Sequence, residues 1–227
     1  MSSSHFDEIA TVYDESLPPH VVEHYLSKRV AFVVEHCPPG SGLDVGCGTG
    51  VLAERLAGAG YRMVGVDPSE GMLEIMRRRT TAVEPVQGSG TELPFADHSF
   101  DVVLTVAVMH HIADPSDVRR TLAEMVRVAR PEGRILIWDH NPRNPYWSRL
   151  MARVPQDTGE ERLISEAEIV TGLRAAGARI LLSKQLGMVP DFTPPGALRA
   201  AAAAERAFEQ TPLLQRYAAH NVILATK

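Results

Sequence analysis

The sequence predicts an α/β fold: a mostly parallel, seven-stranded sheet with helices on both faces and an antiparallel last strand. Three observations carry this. Short β-type runs alternate with helical stretches, a spacing that requires crossover connections and hence parallel pairing. The stretch LDVGCGTG, Leu43 to Gly50, sets three glycines at alternate positions between an apolar run and a helix. The helices open on recognisable caps: Asp114 precedes a proline at the first helical position, and Ser165 with Glu168 spells a capping box.

In chain order, HVVEHYLSKRVAFVVEH predicts a helix at about 19–36, followed by a strand at 42–46, a helix at 50–58 and a strand at 62–66. A helix at 69–79 comes next, then strands near 83–87 and at 101–107, a helix at 115–129 and a strand at 134–139. The capping box starts a helix at 166–176. The tail breaks the alternation: ARILLSKQLGMV (178–189) and HNVILATK (220–227) are separated by about thirty residues that include the alanine-rich ALRAAAAAERAF, a strong helix former. These two ends read as a long hairpin closing the sheet, with an antiparallel strand of the kind common at the edge of a parallel sheet. The expectation is a single domain over 1–227, with a helical lid at 1–40, a cofactor-binding core at 41–140 and acceptor-side insertions with closing strands at 141–227.

Composition narrows the function. A formal charge of −5 gives no net attraction to a phosphate backbone, so nucleic acid is a poor default partner. The densest basic cluster, MRRR at 76–79, ends a helix, where cations complement the dipole and face solvent. Two cysteines, Cys37 and Cys47, make neither a disulfide framework nor a metal spacing, and fit a reduced cytoplasm. No stretch approaches the ~18 apolar residues of a membrane span, and the N-terminus lacks the apolar core of a signal peptide.

In an open parallel sheet, the first strand-to-helix turn is where glycine lets the backbone approach a ligand. Gly46, Gly48 and Gly50 occupy that turn. A dinucleotide loop needs G-x-G-x-x-G, but here the third glycine comes one residue early, and the lysine of a triphosphate-binding loop is absent. Asp67, in VGVDPSEGML, ends the next strand, where a carboxylate accepts hydrogen bonds from both hydroxyls of a ribose. Ser69 competes with it for the role of helix cap.

LDVGCGTG, VGVDPSEGML, GSGTELPFADHSFDVV and LAEMVRVARPEGRILI occur in this order and together resemble the class I S-adenosylmethionine-dependent methyltransferases, with their Rossmann-like fold. The nearest likeness is to the type 11 group that includes the ubiquinone and menaquinone methyltransferases. The resemblance covers about 43–140 and extends upstream to FDEIATVYD. It implies S-adenosylmethionine as cofactor and S-adenosylhomocysteine as product. By position, it runs the backbone of Gly46, Cys47, Gly48 and Gly50 beside the methionine moiety, with Asp44 near its amino group. Asp67 would hold the ribose, with Pro68 and Met72 packing on the adenine, although Met72 also fits an ordinary core position. Ser89 stands where the family often carries an acidic residue; its hydroxyl, or a backbone group of Gly90 or Thr91, would take the adenine amino group. Thr105 belongs to the same expected cofactor set, and Tyr13 would close over the cofactor from the lid.

Methyl transfer from a sulfonium is an in-line displacement, so the protein has to align, exclude water and remove a proton where the acceptor carries one. The residues for this should lie beyond the fourth and fifth strands. His110 and His111 are the candidate catalytic pair, able to serve as a general base for an oxygen or nitrogen acceptor, or else to pack or contact the cofactor. After the fifth strand, His140, Arg143 and Tyr146 are candidate substrate-binding residues: Arg143 to clamp an acidic group, the aromatics to wall a flat one. Residues 143–163 and 190–218 would shape the acceptor pocket. The expected function is methyl transfer to a small molecule, first at oxygen, with nitrogen or carbon open and no metal implied. A cofactor-binding accessory protein without turnover is the alternative, and the acceptor and oligomeric state are not legible in the chain.

Overall fold

A computed structural model describes residues 3–157 and 161–227. A short helix α1 (Ser3–Ile9) leads through a 3-10 turn at Tyr13–Glu15 into α2 (Pro19–His36). Then follow β1 (Ser41–Val45), α3 (Val51–Gly58), β2 (Arg62–Asp67), α4 (Glu70–Arg79), β3 (Val83–Gln87), β4 (Phe100–Val106) and α5 (Pro115–Val128). The second half holds β5 (Ala129–His140), α6 (Trp147–Leu150), α7 (Glu166–Ala175), β6 (Arg179–Leu186), α8 (Leu198–Glu209), α9 (Pro212–Gln215) and β7 (His220–Thr226).

The sheet runs β3-β2-β1-β4-β5-β7-β6, parallel from β3 to β5. β7 is antiparallel to both of its neighbours. The hairpin of β6 and β7 closes the sheet with an antiparallel last strand as expected; β7 lies one place in from the edge, and β6 takes the rim. Burial explains the order. All seven residues of β7 are buried, whereas β6 alternates exposed and half-buried positions before its last two residues, as a strand with one covered side should.

Two apolar layers cover the sheet, and the strands feed them by alternation. In β5, Ile135 and Ile137 join Leu43, Val103 and Ile223 under α5 and α7, where Val118, Leu122, Met125, Ile169 and Leu173 close the layer. Leu136 and Trp138 point the other way, joining Phe32, Val33, Leu56 and Met76 from α2, α3 and α4. Burying each such side chain contributes about 1.5–3 kcal/mol.

The local signals behave as their chemistry dictates, with two departures. Ser69 caps α4 by accepting from the Met72 N–H at 3.1 Å, which frees Asp67 from capping. Asp114 caps α5 through the Ser116 N–H. Ser165 accepts from the Glu168 N–H, but the Glu168 carboxylate pairs with Arg162 instead of returning to Ser165, so only half of the expected box forms. In the basic cluster, Arg77 and Arg78 form exposed pairs with Glu70 and Glu74 as expected, while Arg79 turns inward to the Thr49 carbonyl and Asp14.

Candidate active site

Strand order reverses between β1 and β4, which opens a crevice at their carboxyl ends. Gly46 and Gly48 both adopt left-handed backbone, at φ +75° and +53°. A Cβ on Gly46 would lie 2.5 Å from Val108, just beyond β4, so only glycine lets the two loops meet. At Gly48 a Cβ would meet nothing within 4 Å, which makes this the part of the loop that faces open space. Cys47 packs its thiol against Met76.

Asp67 is buried at the end of β2. Its Oδ2 accepts from the Gly48 N–H and its Oδ1 from the Ser69 N–H, each at 2.9 Å. Burial pushes its carboxyl above the ordinary value despite those two bonds. Asp44, buried at the end of β1, is pushed up to about 7 by burial and by the charge of Asp67, with Arg29 opposing. Arg29 on α2 interacts electrostatically with Tyr25, Tyr13, Asp139 and Asp44, and its enclosed Nε has no hydrogen-bond partner among the described residues. Two buried carboxylates and an incompletely bonded cation thus act on one another electrostatically.

The N-terminal segment packs against the glycine loop and the start of α4. Asp7 accepts from the Ser69 hydroxyl at 2.6 Å and the Gly71 N–H at 2.9 Å, and Asp14 accepts from Thr49 at 2.7 Å and from Arg79. Tyr13 is half-buried, its hydroxyl pushed up to about 12 by burial and the charge of Asp67. Phe6 meets the ring of His111 edge-on at 5.2 Å.

The remaining expected cofactor residues are distributed unevenly. Met72 is fully buried. Pro68 accepts at its carbonyl from Gln87. Ser89 is exposed, and its hydroxyl is shared with the Thr91 hydroxyl at 2.8 Å and N–H at 3.2 Å. Gly90 packs beside Thr121 and Val45. Thr105 is sealed inside the sheet, its hydroxyl donated to the Val45 carbonyl at 2.8 Å, so its own structural duty is to join β4 to β1.

Beyond β4 and β5 the histidines converge. His110 is buried, and its Nδ1 stands 2.8 Å from Asp139 Oδ1. Asp139 also accepts from the N–H groups of Val108, Met109 and His140. Burial opposes its charge, but the adjoining His110 ring and the His140 N–H hold its carboxyl below the ordinary value. The His110 ring lies 4.0 Å from that of His111 and 3.9 Å from that of His140, which in turn stacks 3.5 Å from Trp147. Burial and the neighbouring His110 lower His111 to about 3. Of the expected acceptor residues, His140 is therefore buried within this stack. Tyr146 donates its hydroxyl to Asp191, and Arg143 is exposed in a shallow groove with Arg216 and Tyr217. Of the stretch 143–163, residues 158–160 lie outside the described residues.

A wider open groove beside Tyr61, Arg62 and Thr81 sits at the amino ends of β2 and β3, opposite the glycine loop, and shares none of these residues. Sequence reading missed Arg29, Asp139, Asp157, Asp7 and Asp14. Only Asp139 left a local trace, as an acid ending the otherwise apolar run RILIWD.

A glycine turn at the sheet's switch point and an acid at the end of the second strand match the architecture expected of class I S-adenosylmethionine-dependent methyltransferases. Residues 43–137 match the family model described as a methyltransferase domain. A demethylmenaquinone methyltransferase of Paenarthrobacter aurescens is 35% identical over 154 residues, 63% of this chain and 60% of that protein. An uncharacterised methyltransferase of Mycobacterium tuberculosis is 37% identical over 140 residues, 61% and 52% of the respective chains. This chain thus spans about three fifths of the curated relatives it matches. A Thermotoga maritima structure described as a possible histamine N-methyltransferase shares the fold, with a TM-score of 0.71, 22% identity, and coverage of 99% of this chain and 98% of that one. Among the described residues, no helix is long and apolar enough to cross a membrane.

Proposed function

We propose that this chain is an S-adenosylmethionine-dependent methyltransferase acting on an oxygen of a small-molecule acceptor. One observation carries the reading: the buried carboxylates of Asp44 and Asp67 interact with each other at the ends of β1 and β2, and the enclosed Nε of Arg29, whose charge acts on Asp44, lacks a hydrogen-bond partner among the described residues. That pattern complements an amino-acid zwitterion joined to a sulfonium and a ribose. Asp44 would hold the amino group, Arg29 the carboxylate and Asp67 the ribose hydroxyls, with the open backbone at Gly48 passing alongside.

The cofactor, when bound, supplies a methyl group made electrophilic by the sulfonium. The chain's residues then position, exclude water and manage a proton. Phe6 packs on His111 and Tyr13 feels the charge of Asp67, so the N-terminal segment would cover the cofactor and keep water from the charges beneath it. Asp139 fixes the ring of His110 with Nδ1 toward the core, which directs Nε2 to the acceptor side as the group able to take the acceptor's proton. Arg143 and Tyr146 line the outer approach. Relatives named demethylmenaquinone methyltransferase make demethylmenaquinone, which accepts a methyl at a ring carbon, the acceptor that tests carbon transfer against the oxygen reading. Two cysteines that are free in the fold support a reducing, cytoplasmic setting.

Calorimetric titration with S-adenosylmethionine and S-adenosylhomocysteine tests the reading, with Asp67→Ala as control. Micromolar binding that the variant loses supports it. Absence of binding by folded protein shown to be free of copurified cofactor overturns it.

A further inference from the structure

We propose that His110, His111 and Asp157 form a site for a divalent transition-metal ion of the Zn²⁺ or Co²⁺ type. His110 Nε2 stands 3.9 Å and His111 Nδ1 4.0 Å from Asp157 Oδ1, and the three donor atoms lie within 4.8 Å of one another. Ligand atoms at about 2.1 Å from a common tetrahedral ion stand about 3.4 Å apart. The two contacts to Asp157 therefore need to shorten by about 0.5 Å and the two imidazole nitrogens to approach by at most about 1.4 Å, within reach of side-chain rotation.

Three features distinguish this cluster from incidental crowding. First, His111 Nδ1 and Asp157 Oδ1 are both enclosed and lack a hydrogen-bond partner among the described residues. An enclosed polar atom without a partner is costly, and a shared cation satisfies both of these at once. Second, the other nitrogen of His110 is held by Asp139, the carboxylate–histidine arrangement that fixes ring and tautomer behind a metal ligand. Third, the ligand chemistry is mixed, two imidazoles and one carboxylate, which suits borderline divalent ions and leaves at least one position open.

The alternative grouping of His110, Asp139 and His140 is less suited. Each oxygen of Asp139 already accepts two N–H groups, from Val108 and Met109 on one side and from His110 and His140 on the other, so no lone pair remains for an ion.

The site lies under the closing segment. Phe6 covers His111, Tyr13 senses the charge of Asp157, and Gln156 donates to the Ser16 hydroxyl beside it. The proposed methyl-transfer function bears only on what fills the open position, a water or an acceptor oxygen. An occupied site makes His110 a ligand in place of a base, and ion binding stands or falls separately from cofactor binding.

The test uses chelator-treated full chain titrated with Co²⁺, followed by visible ligand-field absorption, and with Zn²⁺, followed by calorimetry. The expected result is one ion per chain at micromolar affinity or tighter, with cobalt bands of a four- or five-coordinate nitrogen and oxygen site. His111→Ala and Asp157→Asn should abolish the bands, and Asp139→Asn should weaken binding by about 10- to 100-fold. His111→Gln serves if the alanine variant does not fold. Absence of bands and heat, or binding unchanged in the His111 and Asp157 variants, overturns the proposal. S-adenosylmethionine titrated into the same metal-free protein reports the cofactor separately, so either reading can fail alone.

Discussion

The ring of His110 and the carboxylate of Asp139, 2.8 Å apart and both buried, join the turn after β4 to the end of β5. Asp139 is the hub, since three backbone N–H groups converge on it as well. Asp139→Asn replaces one accepting oxygen with a donor that faces other donors. It should destabilise the fold by about 2–3 kcal/mol, read as a lower urea midpoint at unchanged slope. An unaltered midpoint would remove Asp139 from the centre of this network.

Burial and the charge of Asp67 disfavour the ionised form of Asp44 and push its carboxyl up to about 7. A bound ammonium group reverses that preference, so cofactor binding below pH 7 must expel a proton. Affinity should therefore rise with pH and level off above about 7, with a slope of at most about tenfold per unit on the acid side. Calorimetry at pH 6 in buffers of different ionisation enthalpy checks this, since heat independent of buffer contradicts the assignment of Asp44 to the amino group.

The two loop glycines should separate stability from binding. Gly46→Ala adds a clash with Val108 to left-handed strain, and should cost about 2–4 kcal/mol. Gly48→Ala carries only the backbone cost, about 1 kcal/mol, because its Cβ enters open space. That space is where the cofactor would pass, so the variant should stay folded yet bind S-adenosylhomocysteine at least tenfold more weakly. Equal thermal shifts for both variants, with binding preserved in Gly48→Ala, would count against this division.

Asp7 and Asp14 fasten the closing segment to Ser69, Gly71, Thr49 and Arg79. Hydrogen bonds from Ser69 and Gly71 lower the carboxyl of Asp7 below its ordinary value. A depressed carboxylate contributes its stabilisation above the unfolded value of 3.8 and loses it as pH falls through the folded one, so this fastening is complete at neutral pH. Replacing both acids with alanine should speed hydrogen exchange across residues 3–15 and raise the cofactor off-rate several-fold, while the global melting temperature moves little. Exchange that stays slow in the double variant would show that apolar contacts such as Phe6 on His111 suffice.

The strands and helices were legible because each carries a local signature: alternation in β5, a cap at Asp114, glycines at 46–50. Asp67 could be placed because it ends a strand beside that loop. Arg29, Asp7 and Asp157 could not, because their roles rest on contacts across the chain, and nothing within a helix such as KRVAFVV marks an arginine that turns inward. Likewise the full burial of β7 was visible as NVILA, yet its place between β5 and β6 depends on which neighbours compete for that strand. His110 and His111 drew attention as an adjacent pair, but their distinct situations, one held by Asp139 and one facing Phe6, required the third dimension.

The position of β7 also sets an order of assembly. β6 precedes it in the chain but has no neighbour in the sheet other than β7, so β6 must wait for a later segment before it can dock. Until then β5 offers an unpaired edge, the surface from which misassociation starts. A chain cleaved between 187 and 219 would leave that vacancy ready for a separate peptide carrying 220–226, making this fold a candidate for reconstitution from two fragments.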